Sequence, residues 1–231
     1  MPRAPRVDFP GAIHHVGTRG NDSDPIVFDD DDRQHLLHLL ARACEHYDLE
    51  CGAYCLMTTH YHLILRSRSG RLSRGMAMLN GWFARWINAK HERHGHLFGA
   101  RFFNRILEDP GYRREVARYL ALNPVRAGLA AHPDGWTWSS YAGTIGHAPT
   151  AAFVSSFIVD EWFERNTAGY RAWVLAGGRS ERECLEVLLE AYEPITAVRL
   201  AMDTHGIEFA AVAAFLGIKP RTLRERLWTA R

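Results

Sequence analysis

Two histidines separated by one residue, His60 and His62, have the residue type and the spacing to bind a metal ion. They begin the apolar segment His-Tyr-His-Leu-Ile-Leu, which favours a β-strand. Side chains alternate across a strand, so both imidazoles lie on one face and Tyr61 lies on the other. Two neutral imidazoles on one face can ligate a single divalent ion. Pairs of this kind also occur as purely structural histidines, and the motif alone leaves both interpretations open.

A tyrosine and an asparagine supply a second set of reactive groups. Tyr119 and Asn123 are four residues apart in a segment with helical spacing, so they share one helix face. The amide oxygen of an asparagine suits a hard metal ion, and a phenol can act as a nucleophile. Tyr112, seven residues before Tyr119 and on roughly the same face, is the rival nucleophile. Either tyrosine could instead be a packing residue at the core or its rim.

The elements that must position these groups follow the order strand, helix, strand, strand, helix, strand, helix. This order is the split βαβ pattern of a ferredoxin-like α+β domain, an antiparallel sheet with helices on its faces. Pro124 is expected to limit the last helix, because the residue before a proline is pushed away from helical angles. The predicted strands span residues 12–18, 49–57, 60–66 and 102–107, and the predicted helices span 35–47, 72–90 and about 110–122.

Two domains are predicted, residues 1–150 and 151–231. Residues 127–150 are rich in Gly, Pro and Trp and indicate a segment that wraps around the first domain, whereas residues 151–231 have mainly helical patterns. Within about 205–231, an apolar run that ends at Gly217 is followed by Arg221, Arg224 and Arg226. This layout is typical of a helix-turn-helix, and a plain helical hairpin with solvated arginines is an equal alternative.

The charge distribution points to a polyanionic partner. The net charge of the 231 residues is only +2, but residues 66–126 contain 13 basic and 4 acidic residues. Residues 218–231 contain 5 basic residues and 1 acidic residue. Nearly all of these cations are arginines, whose planar guanidinium matches phosphate geometry. Nucleic acid is therefore the expected partner.

Membrane and ATP-dependent functions are not supported by the sequence. No stretch approaches the roughly 20 apolar residues of a membrane span, and residues 1–10 lack the apolar run of a secretory signal. No P-loop pattern is present. The protein is expected to be cytoplasmic and associated with the nucleoid, with no membrane partner.

The sequence resembles the REP-associated tyrosine transposases, relatives of the single-tyrosine HUH transposases of insertion sequences. The resemblance extends from about residue 3 to residue 141 as an ordered series of blocks, which makes it specific. The blocks are Pro10–Val16 with Arg19-Gly20-Asn21, Tyr54–Leu63, Leu72–Met76 with Leu79-Asn80, Gly95–Phe98 with Arg101-Phe102, Arg118–Leu120 with Asn123–Leu129, and Trp138–Tyr141.

This resemblance implies an HUH endonuclease fold with metal ligands on a central strand and a tyrosine on a helix. His60 and His62 fall on the HUH histidines, and Tyr119 falls on the nucleophile. Asn123 stands where related transposases place a glutamine that completes the metal site. Thr58-Thr59 stands where relatives commonly have proline and asparagine. The implied cofactor is a divalent metal, Mg²⁺ or Mn²⁺.

The implied function is a metal-dependent single-stranded DNA endonuclease and strand transferase that acts on hairpin DNA such as REP elements. The reaction would proceed through a 5′-phosphotyrosine intermediate. The protein is expected to be a monomer or a homodimer, because insertion-sequence relatives exchange tyrosine helices whereas REP-associated ones can act alone. Seven arginines are predicted to contact DNA: Arg3, Arg6, Arg19, Arg101, Arg105, Arg118 and Arg126.

Two alternatives stay open. One is a domesticated protein that binds or regulates structured single-stranded DNA without cutting it. The other is a metal-dependent phosphodiesterase in which water attacks instead of tyrosine. Trp82 and Trp86, four apart on a predicted helix, are expected to pack in the core rather than to form a platform for stacking bases.

Overall fold

The computed structural model describes residues 6–177, 198 and 209–223. The chain divides into two compact units, residues 1–172 and 173–231. The first unit contains a four-stranded antiparallel sheet in the order β2-β3-β1-β4. Its strands are β1 (Ala12–Arg19), β2 (Leu49–Leu56), β3 (His60–Ser67) and β4 (Phe103–Ile106), and its long helices are α1 (Asp30–Tyr47), α2 (Leu72–Lys90) and α3 (Pro110–Arg126).

One face of this sheet forms the apolar core with α1 and α2. On β3, Tyr61, Leu63 and Leu65 are directed to this face and are all buried. Their partners from α2 share one side of the helix, as the sequence spacing predicts. They are Leu72, Met76, Leu79, Phe83 and Ile87, each with a relative exposure of 1% or less.

The opposite face of the sheet is covered by α3. The Asp109 side chain caps this helix by accepting a hydrogen bond from the Tyr112 backbone N–H at 2.6 Å. Pro110 occupies the first turn, where its missing N–H is not needed. Local chemistry therefore fixes the residue at which α3 starts.

The prediction that Pro124 limits this helix was wrong. Helix α3 continues to Arg126 with Pro124 inside it. A proline in the last turn removes only one intrahelical hydrogen bond, and bonds beyond it survive: the Ala127 N–H donates to the Asn123 carbonyl at 3.0 Å. Asn123 therefore stands in regular helix one turn after Tyr119, and both side chains keep the same face.

The segment after α3 covers the outer edge of β2, the first strand in the sheet order, as its composition predicts. The Leu56 N–H donates to the Trp138 carbonyl at 2.9 Å, and the Trp136 indole N–H donates to the Leu56 carbonyl at 3.0 Å. The Ser140 N–H donates to the Tyr54 carbonyl at 3.0 Å. These bonds satisfy backbone groups that an edge strand would otherwise leave unpaired. The segment includes a short helix, α4 (Tyr141–Thr144).

The predicted fold class, a ferredoxin-like α+β domain, is confirmed by this sheet and its helices. The predicted domain division near residue 150 stays a prediction; residues 151–172 cluster with the first unit. Further along, a π-helical turn spans Ile158–Trp162, α5 spans Thr167–Leu175 and α6 spans Phe209–Phe215. The predicted helix-turn-helix is described only in part, since residues 205–208 and 224–231 lie outside the described residues. Among the described helices, none is long and apolar enough to cross a membrane.

Candidate active site beneath helix α3

The two imidazoles of the H-x-H motif lie side by side on the face of β3 that meets α3. The ring centroids of His60 and His62 are 5.1 Å apart, and the rings are nearly perpendicular, at 74°. Tyr61 lies on the other face, fully buried in the core. The alternation of side chains along the strand therefore agrees with the prediction from the sequence. Both imidazoles are partly exposed to solvent.

Tyr119 of α3 meets this pair directly. Its hydroxyl lies 2.9 Å from Nε2 of His62, and the two rings pack edge to face with centroids 5.0 Å apart. The side chain is buried, with 1% relative exposure, and burial raises its pKa above the ordinary value of a tyrosine. Nearby Arg126 and Arg19 oppose that shift, because positive charge stabilises a phenolate.

Asn123 connects the tyrosine to the second imidazole. Its side chain hydrogen-bonds both the His60 imidazole and the Tyr119 hydroxyl. It is buried, with 6% relative exposure. Four residues of one chain, two from β3 and two from one face of α3, therefore form a connected polar cluster.

Tyr112, the rival tyrosine, has a different environment. It is partly buried, and the guanidinium of Arg105 lies over its ring, 4.3 Å from the centroid. Tyr119 therefore contacts the histidine pair, whereas the ring of Tyr112 packs against Arg105 of β4.

A third histidine, His15 of β1, belongs to the same cluster and was not identified from the sequence. Its Nε2 lies 3.1 Å from Nδ1 of His62, and the ring is fully buried. His15 pairs with Ile64 and Gly17 pairs with His62 across β1 and β3, which places His15 beside His62 on the same face. His15 could have been found only from the register in which β1 pairs with β3. The 47-residue separation between His15 and His62 gives no indication of that register.

The electrostatics of the site favour neutral imidazoles. Burial, with Arg19 adding to it, lowers the pKa of His60 to about 4, against a smaller raising contribution from Asn123. Burial also holds the pKa of His62 well below 6.5, and the neighbouring His15, His60 and Arg19 act in the same direction. A neutral imidazole is the form that ligates metals, so these shifts keep the pair ready to bind at neutral pH.

The donor set fits a divalent metal ion. Two neutral imidazole nitrogens and an amide oxygen come together from His60, His62 and Asn123, and nitrogen and oxygen donors of these kinds can ligate a divalent ion. The Tyr119 hydroxyl contacts His62 at Nε2, the nitrogen that would bind a metal.

A second cluster of ligand-type side chains lies at the start of α1 and the end of α2. Asp29, Asp32 and His91 have ligand atoms within 4.8 Å of one another. The Lys90 ammonium lies among them, 2.8 Å from Asp29 and 2.9 Å from Asp32. An ammonium already balances the carboxylates here. Asp29 and Asp32 also form the capping box of α1, which gives the cluster a structural role.

Six of the seven predicted DNA-contacting arginines lie within the described residues, and they have different surroundings. Arg19 and Arg126 act electrostatically on the tyrosine–histidine cluster. Arg6 and Arg101 line a separate cavity of about 490 Å³ with Asn80 of α2. Arg105 lies over the ring of Tyr112, and Arg118 is ion-paired with Glu115. Arg3 lies outside the described residues.

The two tryptophans of α2 have different environments. Trp86 packs against the core and stacks on His35, with centroids 4.1 Å apart. Trp82 is 49% exposed, and the guanidinium groups of Arg42 and Arg85 lie 5.6 and 5.5 Å from its ring centroid. The core interpretation is thus right for Trp86 and wrong for Trp82, because Trp82 lies on the outward side of the helix.

Comparison with known proteins finds a family that resembles the part of the chain containing this cluster. Residues 14–123, which contain all five residues of the cluster, match the family described as Transposase IS200 like. The matched range contains strands β2, β3 and β4 completely, and it contains most of β1 and of α3.

Two individual proteins are also similar to this chain. A protein of Haemophilus influenzae named as a REP-associated tyrosine transposase is 24% identical over 111 residues. That match covers 43% of this chain, and the chain spans 63% of the relative's length. A solved structure of a REP-associated tyrosine transposase bound to a REP hairpin superposes with a TM-score of 0.54 at 16% identity, covering 67% of this chain and 92% of that chain. At this identity the superposition establishes the shared fold.

Proposed function

We propose that the chain is a metal-dependent single-stranded DNA endonuclease and strand transferase that acts on hairpin DNA such as REP elements. The observation that carries the proposal is the contact between the Tyr119 hydroxyl and Nε2 of His62, 2.9 Å, beside His60 and Asn123. A nucleophile, two neutral imidazoles and an amide meet within one domain, which also matches a transposase family.

The proposed reaction is a transesterification at a phosphodiester. The Tyr119 oxygen forms a bond to phosphorus while the bond from phosphorus to the 3′ oxygen breaks. The phenolic proton is lost from tyrosine, and the departing 3′ oxygen takes up a proton, so the products are a 5′-phosphotyrosine and a free 3′-hydroxyl. That hydroxyl, or one from another strand, can reverse the step and join DNA. No nucleotide triphosphate is required, because the covalent link conserves the bond energy.

His60, His62 and Asn123 would hold Mg²⁺ or Mn²⁺ in this scheme. When bound, such an ion supplies Lewis-acid polarisation of the scissile phosphate. The residues of the chain do the rest: Arg19 and Arg126 add positive charge that favours the phenolate of Tyr119, offsetting part of the burial that raises its pKa. The 2.9 Å contact with His62 Nε2 keeps the Tyr119 hydroxyl beside the residues that would hold the ion.

DNA binding is assigned to arginines in two places. Arg19 and Arg126 lie at the cluster, where the reacting phosphate would be, and Arg6 and Arg101 line the cavity beside α2. Arg3, Arg105 and Arg118 stay predictions as DNA contacts, as does a cytoplasmic, nucleoid-associated location.

The proposal is tested with purified protein, a labelled single-stranded hairpin oligonucleotide and Mn²⁺. A denaturing gel should show a covalent protein–DNA adduct that disappears in Tyr119→Phe, while the matched variant Tyr112→Phe keeps it. The loss in Tyr119→Phe should be at least about a thousand-fold, because removing a nucleophile abolishes the covalent route.

Each other outcome selects a different function. Cleavage without an adduct that persists in Tyr119→Phe indicates attack by water. Tight, salt-sensitive binding with neither adduct nor metal requirement indicates a non-cleaving, domesticated DNA-binding protein. An adduct lost in Tyr112→Phe but kept in Tyr119→Phe overturns the assignment of the nucleophile.

A further inference from the structure

We infer that His15 is a positioning residue for His62: it accepts a hydrogen bond from the Nδ1–H of His62 and so keeps the Nε2 lone pair available to the reaction centre. The inference deepens the proposed function and rests on it for its role in the reaction. It starts from the 3.1 Å distance between Nε2 of His15 and Nδ1 of His62.

One proton lies between these two ring nitrogens, and its position decides what His62 can do. If the proton is on Nδ1 of His62, the ring donates to His15 and its Nε2 carries a lone pair. If the proton is on Nε2 of His15, Nδ1 of His62 is the acceptor and a neutral His62 must carry its own proton on Nε2. Only the first arrangement lets Nε2 accept from the Tyr119 hydroxyl or ligate a metal, and Nε2 is the nitrogen 2.9 Å from that hydroxyl.

The surroundings hold His62 in this orientation. Gly17 lies opposite His62 across β1 and β3, and a Cβ at this position would be only 3.0 Å from Nδ1 of His62. The glycine thus leaves room for the imidazole edge to reach His15. The ring of His15 is itself held edge-on against Phe103 of β4, with centroids 5.2 Å apart. Because His15 is fully buried, solvent does not replace it as the partner of Nδ1.

His60 has a corresponding partner of a different kind. Its Nδ1 lies 3.0 Å from the hydroxyl oxygen of Thr59, the residue that precedes it. In both histidines of the motif Nδ1 is engaged by a neighbour, and Nε2 is the remaining nitrogen. Partners of this type orient metal-ligating imidazoles and fix their tautomer. Thr59 is local in sequence, whereas His15 is 47 residues from His62.

The test measures the tautomer and the metal affinity, and neither depends on cleavage. In the metal-free wild-type protein, ¹⁵N NMR of the histidine rings should show His62 protonated on Nδ1. His15→Phe keeps a ring in the cavity and removes the acceptor, so Nδ1 protonation of His62 should fall. Mn²⁺ affinity, measured by calorimetry, should weaken by about 10- to 100-fold, the usual effect of losing such a partner.

Two further variants make the result specific. His14 is the matched control, because it is the neighbouring histidine on the same strand, equally buried, and its hydrogen bonds go to Asp8 and Asn104 on the other face. His14→Phe should leave the His62 tautomer and the Mn²⁺ affinity unchanged. His15→Gln, whose amide oxygen can accept from Nδ1–H, should recover most of the affinity that His15→Phe loses.

Several results would overturn the inference. One is a wild-type His62 protonated on Nε2 instead of Nδ1. Another is Mn²⁺ affinity in folded His15→Phe equal to that of the wild type, and a third is an equal loss in His14→Phe. If His15→Phe does not fold, the tautomer of His62 in the wild type and the Mn²⁺ affinity of His15→Gln still test the inference. A correct tautomer in a protein that forms no DNA adduct would support the positioning role and contradict the proposed function.

Discussion

The two faces of strand β3 contain neighbouring residues with opposite roles. Tyr61 lies on the face toward α1 and α2, and its hydroxyl donates to the side-chain oxygen of Asn80 and accepts from the Thr18 hydroxyl. His60 and His62 lie on the face toward α3, where their partners are Tyr119, Asn123 and His15. The first face buries one polar group inside an apolar core, and the second gathers the polar groups of the candidate site.

The two faces of the strand also differ in how their polar groups are satisfied and exposed. On the core face the polar tip of Tyr61 is satisfied by Thr18 and Asn80, which also bond to each other at 3.3 Å. On the α3 face the two imidazoles stay partly exposed, so solvent or a substrate can reach them. Buried polar groups contribute to stability only when they are satisfied, so each face should respond differently to loss of a hydroxyl.

The largest expected effect is the loss of adduct formation when the candidate site on the α3 face is broken. It tests whether one chain supplies all the residues of that site. Tyr119 contacts His62 of its own chain, so mixing His62→Ala protein with Tyr119→Phe protein should not restore the covalent adduct. The mixture should remain at least about a thousand-fold below the wild type, as each variant does alone. The measurement is adduct formation on a labelled hairpin across a range of protein concentrations.

A control mixture of wild type with either variant should keep the wild-type signal. Restoration of adduct in the double-variant mixture would show that tyrosine helices are exchanged between chains, and the working unit would then be a dimer.

The next effect concerns the core face. Tyr61→Phe removes the hydroxyl and leaves the polar groups of Thr18 and Asn80 without that partner, so the free energy of unfolding should fall by about 1–3 kcal/mol. The rate of adduct formation should not change, because Tyr61 is directed away from His60 and His62. Urea denaturation gives the stability, and the hairpin assay gives the rate. A large loss of activity in a stable Tyr61→Phe protein would contradict the separation of the two faces.

The smallest effect is a pH dependence of stability from His14. Burial lowers the pKa of this imidazole below its ordinary value of 6.5, against opposing contributions from Asp8 and Asn104. Below pH 6.5 the unfolded chain therefore takes up a proton that the folded chain resists, and the free energy of unfolding falls as the pH falls. Above pH 6.5 both states are neutral at this site and the contribution is fully present.

His14→Gln removes the titrating group, so the difference in stability between pH 7.5 and pH 5.5 should be smaller in the variant than in the wild type. Urea denaturation at both pH values provides the measurement. An unchanged difference would show that the other histidines carry the pH dependence.

Much of the fold was predictable because it depends on local periodicity. Helix α2 was predicted at 72–90 and spans Leu72–Lys90, since its apolar residues recur at helical spacing. The length of α3 was underestimated, because the effect of Pro124 depends on where it lies in the helix and is small in the last turn. Trp82 was assigned to the core from spacing alone, but the side of α2 that faces solvent is set by packing against α1 and the sheet.

The sequence by itself determined that His60 and His62 share a face and that Tyr119 and Asn123 share another, because strand and helix periods are properties of the backbone. The tertiary structure decided which tyrosine meets the histidines, since Tyr112 and Tyr119 lie on similar faces of α3 and only the docking of the helix distinguishes them. It also brought His15 to His62, because strand register joins residues that are 47 positions apart. Long-range pairing of this kind depends on how β1 and β3 align, and no local spacing encodes it.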